Sequence, residues 1–108
     1  MKITNKLKVS VIMNVHNGEE FIEQAILSVI EQKYQNWELI IWDNKSIDKT
    51  FLSISKFKDK RIKYFKSEKF DKLYSARNKA INKSEGELIT FLDADDLWLP
   101  NKLSSQIE

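Results

Sequence analysis

Four short runs of apolar, β-favouring residues alternate in this chain with segments of helical period, and no other feature restricts the fold as much. The runs are Lys8-Val9-Ser10-Val11-Ile12-Met13-Asn14-Val15, Trp37-Glu38-Leu39-Ile40-Ile41-Trp42, Arg61-Ile62-Lys63-Tyr64-Phe65 and Leu88-Ile89-Thr90-Phe91-Leu92. After the first, Phe21, Ile22, Ala25, Ile26, Val29 and Ile30 recur at helical spacing, with glutamates on the opposite face. Residues 49–57 predict a short helix with Asp48 as its cap, and Leu73 to Asn82 a third helix with Leu73, Ala76, Ala80 and Ile81 facing inward. Gly86 suits the stop of that helix. Pro100 fits the first turn of a last helix running to Glu108.

An order of βαβαβαβ, followed by the start of a helix, implies parallel pairing. The fold class expected is α/β: a mostly parallel open sheet of about four strands with helices on both faces, Rossmann-like. The first and last runs read as strands buried within such a sheet. The lysines of the third mark it as an edge strand. Lys66 to Lys72 reads as a polar, mobile loop.

Bulk properties narrow the field. A chain of 108 residues suffices for one modest domain. A net charge of +2 is too mild to imply a nucleic-acid partner. The absence of cysteine excludes disulfides and thiol chemistry. No apolar run approaches the roughly 18 residues of a membrane span, and Met1 to Lys8 leads into no signal-peptide pattern. With only Gly18 and Gly86, neither glycine-rich phosphate-loop motif is present.

In an open parallel sheet, ligands bind outside the carboxyl ends of the strands. The first strand ends in Asn14-Val15-His16-Asn17, the second in Asp43-Asn44 and the fourth in Asp93-Ala94-Asp95-Asp96. All three clusters therefore fall on one rim. Three carboxylates in four positions repel one another, and a hard cation such as Mg²⁺ or Mn²⁺ relieves that repulsion. Such a rim suits a nucleotide diphosphate bridged through a metal. Asp95 and Asp93 are the candidate metal ligands. Asp43 or Asn44 can read a base edge, His16 can pack beside it, and Arg77 can contact phosphate or base. The plainer readings are a turn residue for His16, a turn cap for Asp43-Asn44, a helix entry for Asp96, core packing for Trp37, Trp42 and Trp98, and a glutamate partner for Arg77. A phosphotransfer or phosphatase-like pocket and a non-catalytic nucleotide- or glycan-binding module remain open. The former normally uses an aspartate nucleophile after the first strand, where this chain has none.

Ordered pieces along nearly the whole chain resemble the N-terminal half of a family 2 glycosyltransferase with the GT-A fold. They are Val9 to Gly18, Ser28-Val29-Ile30-Glu31-Gln32-Lys33-Tyr34, Trp37 to Thr50, Ala76-Arg77-Asn78, and Glu85 to Asp96. The resemblance implies residues 1–108 as a single nucleotide-sugar-binding domain, truncated before an acceptor-binding half. It implies a nucleotide-diphosphate sugar donor, usually a UDP-sugar, with Mn²⁺ or Mg²⁺. The family's D-x-D motif matches Asp93-Ala94-Asp95, with Asp95 as the foremost metal ligand. The base-binding acidic pair falls on Asp43-Asn44, the base-lining segment on Asn14, Val15 and His16, and a nucleotide-proximal position on Arg77. Two departures stand out: Asn14 and His16 replace a common proline and tyrosine, and Asn44 replaces the second acid. An amide still offers a donor and an acceptor to a base.

The resemblance further implies an inverting transferase whose general base lies beyond residue 108, so no catalytic residue is expected within this chain. The acceptor expected is a glycan or lipid-linked hydroxyl in polysaccharide or glycoconjugate assembly. The setting expected is cytoplasmic, peripheral at the inner face of the membrane. Loss of a second half would expose a sheet edge and invite self-association.

Overall fold

The computed structural model describes residues 7–107, so most of the stretch Met1 to Lys8, expected to lead into no signal peptide, and Glu108, the expected end of the last helix, lie outside the described residues. Its elements are β1 (Val9–Val15), α1 (Ile22–Ile30), β2 (Trp37–Asp43), α2 (Thr50–Ser55), β3 (Ile62–Lys66), α3 (Leu73–Asn82), β4 (Leu88–Phe91) and α4 (Lys102–Ile107). The strands form one sheet in the order β3-β2-β1-β4, and every pairing is parallel. The chain winds outward from β1 through β2 to β3, then crosses back to place β4 on the other side of β1. The gap between β1 and β4 is therefore the topological switch point, where the carboxyl ends of an open sheet leave a crevice.

Alternation along the strands builds two unequal layers. Val9, Val11, Met13 and Val15 of β1, with Trp37, Leu39 and Ile41 of β2, pack against Ile22, Ala25, Ile26 and Val29 of α1, Ile54 of α2 and Leu103 of α4. The opposite face carries Ile12, Ile40 and Trp42 against Ala76 and Ala80 of α3. Two alanines let α3 approach the sheet closely. Each fully buried branched or aromatic side chain contributes roughly 1.5–3 kcal/mol, so the first face supplies most of the hydrophobic stabilisation. Trp37 and Trp42 are core residues, as the plainer reading of the tryptophans has it, and Trp98 packs against the larger cluster.

Four expectations change. β4 is not a buried central strand: Leu88, Ile89 and Phe91 are exposed, because the strand forms one end of the sheet and only β1 flanks it. Phe21 does not face the core. It stands one residue before α1 and is 45% exposed. Leu73 opens α3 and is likewise exposed. Gly86 is no helix stop, since α3 ends with Lys83 as its C-cap. Instead Gly86 donates its N–H to Ser10 Oγ at 2.8 Å. A Cβ there would collide with Ser10 Oγ and sit 2.7 Å from Ser10 N and 2.9 Å from the Lys8 carbonyl oxygen. Its glycine is required by close approach to β1.

That approach belongs to a polar cluster at the amino end of the sheet. Glu38 is 1% exposed. Its carboxylate accepts hydrogen bonds from the Ser10 hydroxyl, the Glu85 N–H and the Lys63 ammonium, the last at 3.0 Å. The cluster ties β1, β2, β3 and the turn before β4 together, at the end of the strands remote from the rim.

Candidate functional site

The rim cleft is built by two loops that meet across the switch point. The Leu92 N–H still donates to the Ile12 carbonyl at 3.0 Å, so Asp93 leaves the sheet beside Asn14. The loop after β1 and the acidic loop after β4 then enclose a cleft of about 520 Å³, lined by Asn14 to Gly18, Phe21 and Asp93-Ala94-Asp95. A smaller pocket joins Asn14 and Asp93 to Arg77, Leu73 and Phe91.

The loop after β1 is held by side chains of the loop after β2. Asn17 takes a left-handed φ of 53°, which asparagine tolerates better than most residues. Its N–H donates to Ser46 Oγ at 2.8 Å, and its Oδ1 accepts the Ile47 N–H at 2.8 Å. The Gly18 N–H donates to Thr50 Oγ1, and the Glu19 N–H to Asp48 Oδ2. Asp48 also accepts the Thr50 N–H at 3.0 Å, but it is not the expected cap: it stands one residue before the N-cap of α2, Lys49. At Gly18 a Cβ would clash with Val15 Cγ2, which keeps this wall of the cleft thin.

Asn14, Val15, His16, Asp93, Ala94 and Asp95 all line the cleft, and Arg77 lines the adjoining pocket. Neither the Asp93 nor the Asp95 carboxylate has a hydrogen-bond or ion-pair partner among the described residues. Asp96 differs, since its Oδ1 accepts the Leu97 N–H at 3.1 Å, in keeping with a structural role. Asn14 Oδ1 is buried without a partner, an orphan of the kind that ligands or water satisfy. Arg77 pairs with no glutamate among the described residues; its guanidinium lies 5.2 Å from the Phe91 ring centre, leaving its donors available.

Asp43 and Asn44 fall outside the cleft lining. Asp43 is buried, and its carboxylate accepts the Ser46 N–H at 2.9 Å and the Tyr64 hydroxyl. Burial and that carboxylate hold the Tyr64 hydroxyl well above its usual range. The Asn44 amide clamps the Asp71 main chain, donating from Nδ2 and accepting at Oδ1, both at 2.8 Å. In this structure the pair shapes the rim and its side chains are engaged. The clamp also pins the segment expected to be a mobile loop, and the Ser67 N–H reinforces it by donating to the Asp43 carbonyl.

His16 bridges the two regions. Its Nδ1–H donates to the Asn44 carbonyl at 2.7 Å, which leaves Nε2 as an acceptor facing the Asn17 amide at 3.3 Å. The ring meets Phe70 edge-on at 4.8 Å. Phe21 is the residue sequence reasoning missed in the cleft. Its apolar helical register masked it, although its place before the first helical turn was a usable signal.

The residues fit a divalent cation held through the ligand. Among the described residues no group of three or more acidic, histidine or cysteine side chains is arranged for a metal. Two free carboxylates do stand together. Mg²⁺-type ions at nucleotide sites take one or two protein carboxylates, with phosphate oxygens and water completing the shell.

A parallel sheet ordered β3-β2-β1-β4 with an acidic loop at its switch point defines an α/β domain of the GT-A kind. The chain belongs to glycosyl transferase family 2, whose sequence profile matches residues 10–108. It is 43% identical over 99 residues to the Escherichia coli UDP-Glc:alpha-D-GlcNAc-diphosphoundecaprenol beta-1,3-glucosyltransferase WfgD, covering 92% of this chain and 39% of that protein. Among solved structures it is similar to Staphylococcus aureus TarS 1–349 in complex with UDP, with a TM-score of 0.86 and 28% identity over 93% of this chain and 31% of that one. It is also similar to the mannosyltransferase PcManGT of Pyrobaculum calidifontis in complex with GDP-Man and Mn²⁺, with a TM-score of 0.83 and 25% identity over 89% of this chain and 30% of that one. The chain thus spans about two fifths of the length of several curated relatives it matches and under one fifth of two others. Among the described residues no helix is long and apolar enough to cross a membrane.

Proposed function

We propose that this chain is the donor-binding part of a glycosyltransferase that moves a sugar from a nucleotide-diphosphate sugar to an acceptor hydroxyl in polysaccharide or glycoconjugate assembly. The observation that carries this reading is the pair of unpartnered carboxylates, Asp93 and Asp95, facing the Asn14–Gly18 loop across the switch-point cleft. Asp95, with Asp93 beside it, would hold Mn²⁺ or Mg²⁺. When bound, the cation supplies charge neutralisation to the departing diphosphate. Arg77 offers a fixed cation to the same group. Asn14 presents an amide whose buried oxygen awaits a donor, and His16 presents Nε2 as an acceptor beside the base position. Asp43 and Asn44 support that position through Ser46, Tyr64 and Asp71. UDP is the first donor nucleotide to test, since TarS was solved with it, and GDP the second, from the PcManGT complex.

No catalytic base is assigned among these residues. The reading places it, and the acceptor site for a glycan or lipid-linked hydroxyl, in a further part of a longer protein. The exposed apolar faces of β4 support this, because a sheet edge with Leu88, Ile89 and Phe91 in water is built to be covered; self-association through that edge is the outcome where nothing else covers it. The setting proposed is cytoplasmic, peripheral at the inner face of the membrane. Calorimetric titration of the folded chain with UDP or GDP, each with and without Mn²⁺, tests the reading. Metal-dependent binding of either nucleotide supports it. Absence of metal-dependent heat with both sinks it.

A further inference from the structure

The carboxyl rim carries a second feature, beside the cleft. β2 and β3 are parallel neighbours with Asp43 level with Lys66, so the loops that follow them emerge side by side. Asn44 and Asp71 clamp the two loops together, as does the Ser67 bond to the Asp43 carbonyl. The result is one fixed surface rather than two independent tips.

That surface displays large apolar side chains in water: Ile47 at 85% exposure, Phe70 at 63%, Leu73 at 57% and Tyr74 at 66%. Interleaved with them are the exposed lysines 45, 49, 66, 69 and 72. None of the five forms an ion pair among the described residues, whereas Lys8, Lys56, Lys63 and Lys79 do. The neighbouring acids are largely committed. Asp48 is engaged by main-chain N–H groups of Glu19 and Thr50, and Asp71 by Lys79 at 2.9 Å. Of the acids on these two loops, only Glu68 is left exposed without a partner among the described residues; Asp93 and Asp95 line the neighbouring cleft. On the two loops themselves, five ammonium groups therefore face solvent against one free carboxylate.

We propose that this lysine-ringed apolar surface docks on an anionic lipid bilayer. Lysines attract anionic headgroups, and aromatic and aliphatic tips enter the interfacial layer. Charge complementarity selects the partner's sign. The aliphatic tips Ile47 and Leu73 favour lipid over nucleic acid, because they offer no ring on which a base stacks. Phe70 touches His16 at the cleft mouth, so docking would hold the cleft against the membrane surface. The docking itself does not depend on donor binding; its use, presenting the cleft to a lipid-linked acceptor, rests on the proposed function.

Cosedimentation with large unilamellar vesicles tests the proposal, comparing phosphatidylcholine alone with phosphatidylcholine containing one quarter phosphatidylglycerol. The wild type should bind only the anionic vesicles and release in high salt. The triple variant Lys66→Glu, Lys69→Glu, Lys72→Glu should partition at least about a hundred-fold more weakly, from roughly five-fold per lysine lost before the repulsion of the added carboxylates. Phe70→Ser with Tyr74→Ser should weaken binding to the anionic vesicles at low salt while leaving its salt dependence unchanged. Lys58→Glu with Lys60→Glu, before the opposite end of β3, should bind as wild type. Equal losses in the two charge-reversal variants, or no preference for anionic vesicles, would overturn the proposal, as would tighter binding of a single-stranded oligonucleotide than of the anionic vesicles. Nucleotide calorimetry on the same samples reads the donor site separately. Vesicle binding without nucleotide binding leaves the docking surface standing and removes the donor reading.

Discussion

Replacing Glu38 by glutamine should remove one large, separable part of the acid sensitivity of this fold. Burial alone raises a carboxyl's pKa, but here hydrogen bonds from the Glu85 N–H, the Ser10 hydroxyl and the Lys63 ammonium outweigh it and hold Glu38 at about 2, against 4.5 for the free side chain. At about 1.4 kcal/mol per tenfold change in proton affinity, the difference is worth about 3 kcal/mol of stability. A lowered folded pKa places that stability above pH 4.5 and removes it as pH falls towards 2. Asp59 beside Arg61, and Asp71 beside Lys79, are also lowered, so the wild type alone shows a composite slope. Urea melts of wild type and Glu38→Gln from pH 7 to pH 2.5 isolate one group. The variant should be about 2–4 kcal/mol less stable at pH 7, since it breaks a buried charged network. The two stabilities should converge as the pH approaches 2.5. A constant gap across the whole range would refute the reasoning, because it would show that Glu38 acts through packing and not through its charge.

Two more substitutions test the scaffold around the site. Gly86→Ala forces a methyl onto the Ser10 and Lys8 main chain and should cost about 1–3 kcal/mol in a denaturant melt; an unchanged midpoint would show that the turn before β4 yields freely. Asn44→Ala deletes both bonds to the Asp71 main chain and should raise amide exchange across residues 67–72 by about tenfold, on the order of 1.4 kcal/mol. Exchange confined to its former rate would mean that Ser67 and Lys79 alone hold the loop.

Local pattern was enough to locate the elements. Leu73 to Asn82 is helical over the expected span, and the β-branched content of β1 marked a strand covered on both faces. What pattern could not supply was position in the sheet. Leu88 to Leu92 is as apolar as β1, and apolarity states that a strand needs cover without stating what covers it. Helical period likewise overstated Phe21, the N-cap of α1, and Leu73, the first residue of α3, where a side chain can leave the core. At the site, strand direction alone placed Asn14 to Asn17 and Asp93 to Asp95 on one rim; the pairing of β1 with β4 brings them face to face. The engagement of Asp43 and Asn44 was hidden, because their partners Tyr64 and Asp71 lie 21 and 27 residues away. Gly86 carries the same lesson: its contact with Ser10 spans 76 residues, beyond any local motif.

The central claim is that Asp93 and Asp95 seat a cation bridged to a nucleotide diphosphate, and paramagnetic broadening tests it most directly. In the ¹⁵N-labelled chain, a trace of Mn²⁺ added with UDP should broaden the amides of residues 14–18 and 93–96 ahead of all others. Asp95→Ala should abolish that selectivity while leaving the rest of the spectrum in place. Broadening centred elsewhere, or equally strong broadening of these amides in the Asp95→Ala chain, would contradict the account.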